Sequence, residues 1–168
     1  PSVSYTASRL AVGEWPLWNP WQLCGTPHLA DPRNGVLQPL NVLFLILPPE
    51  IALPAHGFVC LFLMGIAFLF FARSLGIRYV PALFGATIYA FSGATAAGVS
   101  EPMYASFLVW LPVCFWGARA IAMGLAHARP LLGIALALAF LSGALDALLC
   151  SVVILLAYAV FSTFSARG

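Results

Sequence analysis

From residue 54 to residue 165 the chain is a series of long apolar runs in which Arg, Asp and Glu occur only toward the ends. A run of about 18 apolar residues must be buried or dissolved in lipid, and as a helix it is long enough to cross a hydrocarbon layer of about 30 Å. Charged residues make up only 7% of the chain and apolar ones 62%. An ordinary soluble domain carries about 25% charge, so too few polar side chains are present to clothe a water-soluble surface. The expected fold class is all-α, a polytopic membrane protein.

The runs 54–74, 80–97 and 103–124 each read as a span. The apolar stretch 130–165 is too long for one crossing and divides around Ser142–Asp146 into a helical hairpin with arms 127–143 and 147–165, giving about five spans in all. The first arm is short, so it is expected to tilt or to sit in thinner membrane. Residues 1–53 then form a first loop and 54–168 the helix bundle. Within the loop, 1–13 and 36–48 suit short interfacial helices. Between them Pro16, Pro20, Pro27 and Pro32 forbid a long helix, while Trp15, Trp18 and Trp21 favour the headgroup layer. The chain starts at Pro1, without the apolar core of a signal peptide, and is expected to be part of a longer bacterial inner-membrane protein.

Arg73 and Arg78 flank the first connection, Arg119 and Arg129 the third, and Arg167 ends the last helix. An excess of Arg marks the cytoplasmic side, which leaves residues 1–53 extracytoplasmic. Glu14, Asp31, Glu50, Glu101 and Asp146 all fall on that outer side. No ionisable group is expected at mid-depth and no internal repeat joins the hairpins, both unfavourable to an ion-coupled transporter or flippase. The formal charge of +2, with no Lys, also excludes nucleic-acid binding.

Ala135, Ala139 and Gly143, like Gly133 and Ala137, recur every four residues, a spacing that allows close helix approach. Pro112 lies inside a span and is expected to kink it. Cys60, Cys114 and Cys150 sit in apolar runs as small hydrophobes. Cys24 is in the loop with His28, but two ligands do not make a metal site.

Glu14-Trp15-Pro16-Leu17-Trp18-Asn19-Pro20, Gly25-Thr26-Pro27, Gly35 and Pro39-Leu40-Asn41 stand in order along the loop. They are followed by His56, Arg73-Ser74-Leu75-Gly76, Tyr89-Ala90-Phe91-Ser92-Gly93 and Trp110-Leu111-Pro112. This series, over about residues 10–115, resembles the YfhO-type bacterial membrane proteins, of the polyprenyl-phosphate-dependent glycosyltransferase class. The resemblance implies a GT-C-like scaffold whose first outer loop carries two interfacial helices. It also implies transfer of a sugar from a lipid-phosphate carrier to an envelope glycan acceptor at the outer face. An acid upstream of the Trp-Pro-Leu-Trp-Asn-Pro run is the catalytic base that the resemblance leads one to expect. Here no acid precedes Glu14.

Such a transfer needs a carboxylate to take a proton from the acceptor, and a cation, either a side chain or a divalent metal ion, to meet the leaving phosphate. Asp31 and Glu101 are the candidate catalytic acids. His28, Arg33, His56, Trp18 and Asn19 are the candidate substrate-binding residues. Each has a plainer alternative: Asp31 as a turn cap with Arg33 on headgroup phosphates, Glu101 as a solvated loop acid, His28 and His56 as structural histidines, Trp18 and Asn19 as shapers of the loop. Asp146 is expected to hold its turn out of lipid. A non-catalytic protein on the same scaffold is the competing function.

Overall fold

The computed structural model describes residues 2–98, 100–125 and 128–165. In chain order these form α1 (Ser2–Ala11), a two-residue antiparallel hairpin of β1 (Trp18–Asn19) and β2 (Thr26–Pro27), and 3-10 turns at Pro32–Asn34 and Pro39–Val42. The helices α2 (Leu43–Ile46), α3 (Pro49–Ser74), α4 (Tyr79–Ala90), α5 (Gly93–Gly98), α6 (Pro102–Ala122), α7 (Ala128–Leu141) and α8 (Leu145–Ser165) follow. The protein is mostly helical, and α3 over Glu50–Ser74 and α6 are long and apolar enough to cross a membrane.

Prolines set most of the departures from the expected boundaries. Pro39 and the pair Pro48-Pro49 bracket the second short segment, so 36–48 is not one helix but a 3-10 turn and the single turn α2. Pro49 starts α3 five residues before the expected span, because a first-turn proline lacks only an N–H that has no helical partner. The bundle therefore begins at Pro49, inside the segment assigned to the loop. The expected span 80–97 is interrupted at Phe91–Ser92: Ser92 Oγ accepts from the Thr95 N–H at 3.3 Å, starting α5, while Thr95 Oγ1 donates to the Tyr89 carbonyl at 2.9 Å. The two-residue hairpin is an addition to an all-α expectation. His127, where the fourth span was placed to begin, and Arg167 lie outside the described residues.

Helix α6 is the centre of the bundle, packed against α3, α7 and α8, with α4 packed on α3. His56 meets Ser106 near the starts of α3 and α6, and Arg119 Nε donates to the Ser74 carbonyl at their ends, so these helices run parallel. Tyr104 bonded to Asp146, and Cys114 packed with Leu155, make α8 parallel to them as well. Alanine is the commonest buried apolar residue, beside larger ones such as Met64, Phe107 and Leu155. Ala82, Ala86 and Ala90 bury one face of α4, and Ala135 and Ala139 one face of α7, whereas the companion stripe of Gly133 and Ala137 is exposed. A Cβ on Gly117 would stand 3.0 Å from Leu132 Cβ, a measure of how closely α6 and α7 approach. The outer faces are apolar: Phe58, Phe62, Phe84, Phe91, Leu149 and Val153 are each more than half exposed.

Pro112 lies within α6 without ending it. Its missing N–H leaves the Leu108 carbonyl without a helical donor, and Tyr89 Oη, from α4, donates to that carbonyl at 2.8 Å. Tyr89→Phe is expected to lower stability by about 1–2 kcal/mol, the cost of a buried carbonyl without a donor. A thermal midpoint in detergent equal to wild type would show that the carbonyl finds another partner.

The parallel order collects charge at the two ends. Glu50, Glu101 and Asp146 stand at the starts of α3, α6 and α8, and Arg73, Arg78, Arg119 and Arg129 stand at the other end of the bundle.

Candidate functional site at the acidic rim

The sequence Asp31-Pro32-Arg33-Asn34-Gly35 forms a capped 3-10 turn. Pro32 supplies the first turn residue, and Asp31 Oδ1 accepts from the Arg33 N–H at 3.0 Å. The same carboxylate receives Arg33 Nε at 3.1 Å and Nη2 at 2.9 Å. Those hydrogen bonds from Arg33 hold the Asp31 carboxyl below its usual range, and Asp31 raises the Arg33 guanidinium in turn. Arg33 nevertheless remains 72% exposed along its side chain, so part of its guanidinium faces outward. Asp31 borders a groove of about 330 Å³ between this turn and Phe140 and Leu141 of α7.

Gly143 seats the turn on the bundle. It has φ +89°, and a Cβ there would overlap the Pro32 carbonyl oxygen and stand 2.8 Å from Arg33 Cα. Three residues on, Asp146 Oδ2 accepts from Tyr104 Oη at 2.8 Å, joining the start of α8 to the first turn of α6, where Glu101 precedes the helix. Glu101 is exposed and makes no ion pair among the described residues. This end of the bundle thus carries an acid already occupied by Arg33, an exposed acid that makes no ion pair among the described residues, and a tyrosine–carboxylate pair.

Of the other candidate residues, His28 adjoins the Asp31 turn, Trp18 and Asn19 belong to the hairpin, and His56 lies within the bundle. His28 is fully buried; its Nε2 is 2.8 Å from Thr6 Oγ1 and its ring meets Tyr5 edge-on at 5.1 Å, which pins α1 to the loop. Burial lowers the His28 pKa, with the Asp31 charge acting in the opposite direction. Asn34 Nδ2 donates to the His28 carbonyl at 2.8 Å. Asn19 is buried and accepts from the Trp21 N–H at 3.0 Å. Trp18 is half exposed, with its indole against Gly25 and its carbonyl accepting from Tyr5 Oη at 2.7 Å. His56, fully buried within the bundle, lies 3.2 Å from Ser106 Oγ and 3.7 Å from Cys60 Sγ.

Tyr104 and Ser106 carry no sequence signal of a site, and the position of Asp146 suggests only a solvating role. Their partners are 42 and 50 residues away, and no local pattern announces such pairs. Among the described residues no group of three or more His, Cys, Asp or Glu comes together to hold a metal ion. No protein-family model, curated protein or solved structure matches the chain.

Proposed function

We propose that the chain belongs to a multi-pass protein of the bacterial cytoplasmic membrane with a GT-C-like scaffold, which moves a sugar from a lipid-phosphate carrier to an envelope acceptor at the outer face. The observation that carries this reading is the separation of acids and arginines to opposite ends of a bundle whose outer faces are apolar. Lipid covers such faces, and the arginine-rich end is cytoplasmic by the positive-inside rule. The acidic end, with the first loop seated on it, is then extracytoplasmic. In this arrangement α3, α6 and α8 cross, α4 with α5 makes one interrupted crossing, and the short α7 tilts or thins the bilayer, for about five spans.

The resemblance of the motif order to that of YfhO-type proteins supports the chemistry. Glu101 takes the proton of the acceptor hydroxyl as its oxygen bonds to the anomeric carbon. The bond from that carbon to the carrier phosphate oxygen breaks, and the phosphate leaves with the electron pair. The outward part of the Arg33 guanidinium meets the leaving charge, and Asp31 holds Arg33 in place. The full-length protein in proteoliposomes, given a polyprenyl-phosphate-linked sugar and an acceptor, is expected to release polyprenyl phosphate. Donor binding without release would favour the second reading, a non-catalytic protein on this scaffold. That reading draws on the engagement of Asp31 by Arg33.

A further inference from the structure

Beneath α1 a cavity of about 200 Å³ lies between that helix and the segment that follows Asn34. Gln38 borders it, is 3% exposed, and has no hydrogen-bond partner for either Oε1 or Nε2 among the described residues. Asn41 borders it too. Its Nδ2 donates to the Gly35 carbonyl at 2.8 Å, which fixes the orientation of the amide and leaves Oδ1 buried without a partner among the described residues. Two residues lining one void thus hold three buried polar atoms with nothing bonded to them, where buried polar groups in folded proteins are nearly always paired. The remaining walls include Val3, Leu10 and Leu45 beside the polar Thr6 and Asn34, and among the described residues no charged side chain lines the space.

We propose that this cavity is a binding site for a neutral, hydroxyl-bearing small molecule of the size of a monosaccharide or cyclic polyol. The Gln38 amide offers an acceptor beside a donor, and Asn41 adds an acceptor. Adjacent hydroxyl groups, each able to give and to take a hydrogen bond, complement that set. The apolar walls suit the C–H face of a saturated ring. An anion or a cation would be buried here without a counter-charge, which is far more costly than burying a neutral hydroxyl. The site is distinct from the groove at Asp31: Gly35, Val36 and Leu37 border both, but Asp31 does not line this cavity. Its occupancy is independent of the transfer reading.

Equilibrium binding to the full-length protein in detergent, followed by saturation-transfer NMR, tests this with glucose, myo-inositol and glucuronate as probes. At least one neutral probe is expected to bind saturably, and glucuronate not to bind. Gln38→Met should weaken the neutral probe about tenfold or more. Ala7→Leu, which fills the void from α1 and removes no polar group, should abolish binding while the thermal midpoint stays at or above wild type. Absence of saturable binding by either neutral probe, which would leave the cavity to water, overturns the proposal. So does glucuronate binding as tightly as the neutral probes, or neutral-probe binding unchanged in Ala7→Leu.

Because binding rather than transfer is read, a protein that fails to transfer sugar can still pass or fail this test.

Discussion

Glu101→Gln in the full-length protein is expected to reduce release of polyprenyl phosphate by about 100-fold or more, in the range typical of losing a general base. The substitution keeps the size and the hydrogen-bonding capacity of the side chain and removes only its ability to hold a proton. Because Glu101 is exposed at the start of α6 and makes no ion pair among the described residues, the variant should keep the wild-type thermal midpoint. Asp31→Asn should cost less, about tenfold, because Asp31 acts through Arg33 and not on the acceptor. Equal activity of wild type and both variants at equal protein level would remove these acids from the mechanism.

Gly143→Ala is expected to lower stability by about 3 kcal/mol or more, the joint effect of left-handed backbone and of overpacking against backbone atoms. The added Cβ would meet the Pro32 carbonyl, Pro32 C and Arg33 Cα, none of which belongs to a side chain able to swing away. Relief requires that the turn at Pro32–Asn34 lift from the bundle, so proteolytic cleavage between residues 12 and 38 should accelerate along with the fall in thermal midpoint. Gly133→Ala, where a Cβ meets nothing within 4 Å on α7, serves as the control and should be neutral or slightly stabilising. Wild-type protease resistance in Gly143→Ala would mean that the loop is not seated as described.

Hydrophobic run length made the helices legible, and proline position made the absence of a helix between residues 12 and 31 legible. Periodicity alone does not locate an interruption such as Phe91–Ser92, because Ser92 and Thr95 act there through hydrogen bonds to backbone and to each other, not through hydropathy. Charge placement in the connections anticipated the two oppositely charged ends, since each hairpin returns the chain to the end it left. The rim was legible only in part. Asp31 and Arg33 are near neighbours in sequence and their pairing is local, whereas the seating of their turn on Gly143 and the Tyr104–Asp146 bond depend on packing between distant segments. Gln38 stood out little as one amide in an apolar stretch. Its meaning comes from the void that α1 closes over it.

The central claim is that the acidic end of the bundle faces outward across a membrane, and Cys24, exposed in the first loop, is a native reporter of it. With Cys150→Ser removing the other exposed thiol, a membrane-impermeant maleimide added to intact spheroplasts is expected to label Cys24. A thiol introduced by Arg78→Cys at the opposite end should be labelled only after permeabilisation. Labelling of the Arg78→Cys thiol but not Cys24 in intact spheroplasts, or recovery of the protein in the soluble fraction, would contradict the claim.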